Sequence, residues 1–151
     1  MALHDDIKLL SSVPLFQGLN EDQLRLLSFG AERRALLAGM TLFREKSPAE
    51  CAYVVASGQI ELMTHAKNGK PRSEGICGPG TLLSELALVT LVERKYTAQA
   101  LEDSEVIRIP RPLFQRLMEE YPAVAAMVED RIRENIQGLV SELNKLRSVF
   151  G

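Results

Sequence analysis

Between about Ala31 and Ile109 the hydrophobic residues of this chain fall into short runs separated by turn-forming residues, a rhythm that restricts the middle of the molecule to β structure. Leu36-Leu37, Thr41-Leu42-Phe43 after Gly39, Cys51 to Ala56 and Gln59 to Thr64 read as successive strands. In the last of these, Ile60 and Leu62 point inward while Gln59 and Glu61 point outward. Asn68-Gly69 is the strongest short-range signal for a hairpin, and Gly78-Pro79-Gly80 marks another turn. Tyr96 to Ala100 and Ser104 to Ile109 add two further strands. Many short strands in succession predict a β-sandwich or barrel.

Both ends of the chain have a different period. Ile7, Leu9 and Leu10 form a short amphipathic pattern from Asp5 to Ser12, stopped by Pro14. Asn20 caps a second short helix, with Glu21 and Asp22 in its first turn and Leu24, Leu26 and Leu27 on its buried face. After the strands, Arg111 to Met118 predicts a short helix with Pro112 in its first turn. A long helix follows Tyr121-Pro122 and runs to the end. Its apolar residues Ile132, Ile136, Leu139, Leu143, Leu146 and Phe150 alternate steps of four and three, a heptad seam suited to pairing with a second copy. The alternative is an amphipathic helix packed on its own domain. Gly138, beside Leu139, either permits close helix approach or acts as a hinge.

A length of 151 residues suits one domain: N-terminal helices over 1–30, a β-barrel over 31–110 and C-terminal helices over 111–151. With 46% hydrophobic and 25% charged residues the composition is that of a soluble globular protein rather than a disordered one. The net charge of -2 disfavours a nucleic-acid surface. Cys51 and Cys77 lack the spacing of a metal or disulfide framework and read as two buried, reduced thiols. The opening residues MALHDDIKLLSSVP carry acids where a secretion signal needs positive charge, which predicts a cytoplasmic protein. No apolar run is long enough to span a membrane.

One segment resists a purely structural reading. In LLSELALVTLVERKYTAQA, residues 82–100, Glu85 interrupts an apolar run and Arg94 follows downstream. Ionised groups among core residues are costly unless partnered, so the two either pair with each other or share a ligand.

The residues of this segment carry a family resemblance. SELALVTLVERKYTA, 84–98, is similar to the phosphate-binding cassette of the cyclic-nucleotide-binding domains found in catabolite activator proteins and protein kinase A regulatory subunits. PLFQGL at 14–19 looks like that family's entry motif. Gly39 with Leu42-Phe43, Tyr53-x-Val55-x-x-Gly58 and Gly80 fall on its turn and strand positions. The resemblance implies a mainly β, jelly-roll (double-stranded β-helix) barrel with short N-terminal helices, a cassette over 80–98, and a short then a long dimerisation helix at the C-terminus. It implies no cofactor and no catalysis, but a cyclic-nucleotide ligand, cyclic AMP or cyclic GMP.

A guanidinium meets the two free oxygens of a cyclic phosphate with a rigid fork, which suits Arg94. Glu85, which would repel that phosphate, is implied to accept from the ribose 2′-hydroxyl and to help hold the arginine. Backbone N–H groups of Leu86 and Ala87, on a helix beginning near Ser84, would add anion contacts. By resemblance the base pocket is lined by Leu62, Cys77 and Leu83, with Leu139 and Val140 closing it from the long helix.

The departures from the family pattern fall on the same segment. Ser84 and Lys46 stand where glycine is usual, which restricts positive φ. Lys95 either adds a second charge at the phosphate or points to solvent, and Tyr96 either narrows the pocket or packs outside it. Thr97 either bears on base choice or is an ordinary strand threonine.

Other functions fare less well. A metal-dependent cupin would need several histidines, and only His4 and His65 are present, on unrelated segments. No nucleophile and base constellation is visible. The expected protein is a cyclic-nucleotide sensor that signals through its C-terminal helices as a homodimer, with an effector protein acting in trans and no DNA or membrane contact from this chain. Its alternatives are the sensor part of a catabolite-activator-type regulator and a non-binding docking module.

Overall fold

The chain opens with two short helices whose ends are set by local chemistry. The computed structural model describes residues 2–134, with side chains from residue 6 onward. Helix α1 (Ala2–Ser11) buries Leu10 completely and is followed by a single 3-10 turn, Pro14–Phe16. Helix α2 (Glu21–Gly30) starts in a capping box. The Asn20 side chain accepts from the Gln23 N–H and the Gln23 side chain accepts from the Asn20 N–H, each at 2.9 Å.

Ten strands follow: β1 (Glu32–Leu36), β2 (Thr41–Phe43), β3 (Pro48–Ala49), β4 (Cys51–Ser57), β5 (Ile60–His65), β6 (Pro71–Cys77), β7 (Leu82–Leu83), β8 (Val92–Glu93), β9 (Thr97–Ala100) and β10 (Ser104–Pro110). They form two four-stranded antiparallel sheets, ordered β1-β10-β4-β7 and β2-β9-β5-β6, with β3 and β8 paired as a small third unit. The mainly β jelly roll with flanking helices is therefore as expected. The β5–β6 hairpin turns at Asn68-Gly69, where Gly69 has φ +83° and the Ala66 N–H donates to the Lys70 carbonyl at 3.0 Å. Strands β3 and β8 are additions to the sequence reading, because two residues have no period to detect. Leu37 is a correction: it lies past the end of β1 and is 63% exposed.

Strand β4, buried on both faces, divides the hydrophobic interior in two. Ala52 and Val54 join a core with the helices, including Leu10, Phe16, Leu27, Phe114 and Leu117. Cys51, Tyr53 and Val55 join a second core between the sheets, with Leu36, Ile60, Leu83, Ala98 and Val106. Both cysteines are free thiols; Cys51 is buried, and Cys77 is only half-buried.

Helix α3 (Arg111–Glu120) carries Pro112 in its first turn and buries Phe114 and Leu117, with the Phe114 ring 6.0 Å from that of Phe16. Residues 122–134 are also helical. Val124, Val128 and Ile132 on this helix are buried in the helix-side core. That corrects one position of the proposed seam, since Ile132 (6% exposed) packs on its own chain rather than opening a pairing surface. The remaining seam positions Ile136, Leu139, Leu143, Leu146 and Phe150 lie outside the described residues, as do Gly138 and Val140. Arg131 ties the same helix to the N-terminus by donating from Nη1 to the carbonyls of Leu15, at 3.1 Å, and Gln17.

Candidate functional site

The segment that puzzled the sequence reading forms one wall of a cavity of about 590 Å³. Chain leaving β7 turns sharply at Ser84, whose φ of +65° and ψ of +46° are left-handed. This conformation costs a residue with a Cβ on the order of 1 kcal/mol. A 3-10 turn, Glu85–Leu88, follows and is closed by the Ala87 N–H donating to the Ser84 carbonyl at 3.0 Å. Ala87 and Leu88 are fully buried and anchor the turn. Ser84, Glu85 and Leu86 are thereby left on the cavity wall.

Leu83, Lys95 and Tyr96 line the same space, and Leu62 faces it from β5. Seven of the expected site residues therefore share one cavity. Phe43, Leu82, Val92 and Glu93 line it too, and the sequence reading did not single them out for the site. Phe43 ends the short run Thr41-Leu42-Phe43, so its strand was legible although its role was not. Among the described residues, the charged groups on the wall are Glu85, Glu93 and Lys95. The Lys95 ammonium lies 5.5 Å from the centroid of the Tyr96 ring, within range of a cation–π contact.

Arg94 is placed differently. Its side chain does not line the cavity and is 6% exposed. Nη1 donates to the Cys51 carbonyl at 2.8 Å, and Nη2 to Cys51 Sγ at 3.3 Å. The guanidinium also stacks 4.5 Å from the Phe43 ring centroid and 5.4 Å from that of Tyr53, two rings that are themselves stacked at 5.9 Å. Phe43 thus has the cavity on its surface and the buried cation against its ring. Burial pushes the Tyr53 phenol above its ordinary pKa, with the neighbouring Cys51 adding to the shift. The backbone around Arg94 is clamped as well: its N–H donates to the Ser47 carbonyl at 2.8 Å, and its carbonyl accepts from the Lys46 N–H at 2.7 Å. Lys46 has φ +67°. The two positions where glycine was missed in the sequence, Ser84 and Lys46, are the two non-glycine residues with positive φ among the described residues.

Three expected site residues lie elsewhere. Ala87 is buried beneath the turn and does not reach the cavity. Cys77, opposite Ile60 in the β5–β6 pair, packs against the core between the sheets, and burial raises its thiol pKa. Thr97 is turned away from the cavity, because the next residue, Ala98, takes the inward position in β9. Its hydroxyl accepts from the Glu45 N–H and donates to Glu45 Oε1, both at 3.1 Å. Glu45 Oε1 also lies 2.5 Å from His65 Nδ1, and the His65 hydrogen bond holds the Glu45 carboxyl below its ordinary pKa.

The cavity has an apolar wall, two carboxylates and an ammonium along it, and the Arg94 guanidinium behind the Phe43 ring, a lining suited to a ligand with hydroxyl groups and a flat apolar part. Among the described residues no cluster of His, Cys, Asp and Glu could hold a metal ion, and no helix is long and apolar enough to cross a membrane.

Comparison with known proteins agrees with this chemistry. The chain is 32% identical over 125 residues to the cyclic AMP receptor protein of Thermus thermophilus, covering 80% of this chain and 58% of that protein. It is 28% identical over 116 residues to the lysophospholipase NTE1 of Chaetomium globosum, covering 77% of this chain and 8% of that enzyme. It therefore spans less than two thirds of either relative. Among solved structures, the cyclic nucleotide-binding-like protein from Brucella abortus superposes with a TM-score of 0.70 at 44% identity, covering 76% of this chain and 98% of that one. The family model described as the cyclic nucleotide-binding domain matches residues 33–121, more than half of the chain, and on that match this protein belongs to the cyclic nucleotide-binding domain family.

Proposed function

We propose that this chain is a cyclic-nucleotide sensor, that the cavity walled by residues 82–96 is its binding site, and that cyclic AMP is the ligand to test first, with cyclic GMP second. The observation that carries this reading is the convergence of Ser84, Glu85, Leu86, Lys95 and Tyr96 on one cavity whose apolar side is built by Leu62, Leu83 and Phe43. Glu85 accepts from the ribose 2′-hydroxyl, while the base lies against the apolar wall, which reads shape and stacking rather than purine edges. The relative named as a cyclic AMP receptor favours adenine.

Arg94 supplies the phosphate contact by turning from Cys51 toward the cavity, giving up a neutral carbonyl for an anion that its fork grips better. Lys95, already on the wall, meets the phosphate first. The output is a population shift in which the cassette moves inward and the helices from Arg111 onward follow, capped at the base by Leu139 and Val140. In this reading the domain is non-catalytic, pairs as a homodimer in the cytoplasm and acts on an effector protein in trans, with no DNA or membrane contact made by these residues themselves.

Calorimetric titration with cyclic AMP and cyclic GMP tests the assignment. Arg94→Ala should abolish binding while its circular dichroism matches that of the parent; unchanged affinity overturns Arg94 as the phosphate ligand. One observation favours a second reading, a docking module that has lost its ligand: the Arg94 guanidinium is already held by Cys51, Phe43 and Tyr53. Thermal-shift measurements separate the two, because a ligand at 100 times its dissociation constant stabilises by about 2.7 kcal/mol. No shift with either nucleotide selects the docking module.

A further inference from the structure

We infer that Arg111 is a positioning residue for the nucleotide site, tying the 84–94 segment to the first turn of α3 directly at Ala87 and, through β3, at Val92. The inference rests on the nucleotide reading for its ligand-dependent part. Arg111 is the first residue of α3, and its backbone N–H donates to the Glu50 carbonyl at 3.1 Å, which seats the helix start beside β4. From there the side chain reaches two carbonyls at once. Nε donates to the Ala87 carbonyl at 2.7 Å, and Nη2 donates to the Ala49 carbonyl.

One carbonyl belongs to the segment, and the other to a strand that pairs with it. Ala87 belongs to the 3-10 turn that presents Ser84, Glu85 and Leu86 to the cavity, and its carbonyl is among the terminal acceptors that such a short turn leaves without a helical partner. Ala49 lies outside the segment, in β3, and pairs with Val92 of β8, which is on the limb that returns to Arg94 and Lys95. A shift of the cassette relative to α3 must therefore break or carry with it at least one bond of a single guanidinium. Lysine cannot reproduce this. Its ammonium is a compact point donor on a flexible stem, whereas the planar fork presents Nε and Nη2 at a fixed separation.

Burial of Leu88 beside Phe114 and Leu117 gives the same elements apolar contact, so the core remains when Arg111 is replaced. A residue that only anchored the helix start would lower stability when replaced and leave the site's order and its ligand response alone. A positioning residue changes both.

The test uses the full chain as wild type, Arg111→Met, which keeps the stem without the donors, and Arg111→Lys. Ligand-free hydrogen exchange should show faster exchange at residues 84–94 in Arg111→Met, with Arg111→Lys intermediate. Cyclic AMP should bind Arg111→Met about tenfold more weakly, as expected for losing a charged hydrogen bond. The ligand-induced change in protection over residues 111–134 should disappear with it. Unaltered exchange at 84–94 overturns the positioning role, and unaltered affinity together with an unaltered response at 111–134 overturns the link to the helices. If Arg111→Met does not fold, Arg111→Lys decides on the same readouts. Failure of the wild type to bind either nucleotide overturns the sensor reading and with it the ligand-dependent part, while ligand-free exchange still decides whether Arg111 positions the segment.

Discussion

The two faces of strand β4 look onto different kinds of interior. On the helix side, Ala52 and Val54 meet Leu10, Phe16, Leu27, Leu88, Phe114 and Leu117, all with no exposed surface. On the sheet side, Cys51, Tyr53 and Val55 share their space with a buried arginine, with Phe43, Leu62 and Cys77 that are only partly buried, and with the cavity. The backbone differs in the same way: both left-handed non-glycine residues, Lys46 and Ser84, belong to the sheet-side loops around Arg94 and the cavity. One face is packed throughout, and the other borders a cavity and carries the left-handed backbone, a combination that the proposed binding role would use. A single strand serves both because alternate residues point to opposite sides.

Substitutions on the two faces should separate stability from binding. Phe114→Ala removes a fully buried ring and should cost about 3–5 kcal/mol by chemical denaturation, with little change in the nucleotide affinity of the folded protein. Leu62→Ala, on the cavity wall, should cost about 1 kcal/mol or less but weaken nucleotide binding by calorimetry. Equal stability losses at these two positions would dissolve the distinction. Ser84→Gly relieves the left-handed strain and should stabilise by about 1 kcal/mol, read as a melting temperature higher by roughly 3 °C. A lower melting temperature would mean that the Ser84 side chain contributes more than its backbone costs.

The smallest effect is a pH dependence. Because His65 holds the folded-state pKa of Glu45 below its unfolded value, the stabilisation from Glu45 is present above the unfolded carboxylate pKa and is lost as pH falls through the lower folded value. The melting-temperature advantage of wild type over Glu45→Gln should thus be present at neutral pH and shrink progressively as pH falls below the ordinary carboxylate pKa. An advantage that persists in acid would assign it to packing at Thr97 and His65 instead of charge.

Legibility in the sequence follows the range of the forces. The Asn20 and Gln23 capping box and the Asn68-Gly69 hairpin are local, and both can be read from neighbouring residues. Ser84 and Lys46 were legible as departures from a glycine pattern, and each proved to occupy a backbone conformation that favours glycine. The two-residue strands β3 and β8 were not legible, nor was the placement of Thr97 against Glu45 rather than on the cavity wall, since register decides which side a strand residue faces. Ile132 fits a heptad and a core stripe equally well by spacing, and only the packed helix shows that it serves its own core.

By itself the sequence determined the flanking helices, the longer strands and the Asn68-Gly69 turn, because periodicity and turn chemistry act over a few residues, and it marked residues 82–100 by an acid set in an apolar run. Only the tertiary structure decided where Arg94 points. Its long side chain has the reach to meet a ligand or a wall, and the choice is made by Phe43, Cys51 and Tyr53, which strands distant in the chain bring against its guanidinium. The same holds for Arg111, whose two carbonyl partners come from segments that meet only when the sheets and helices close.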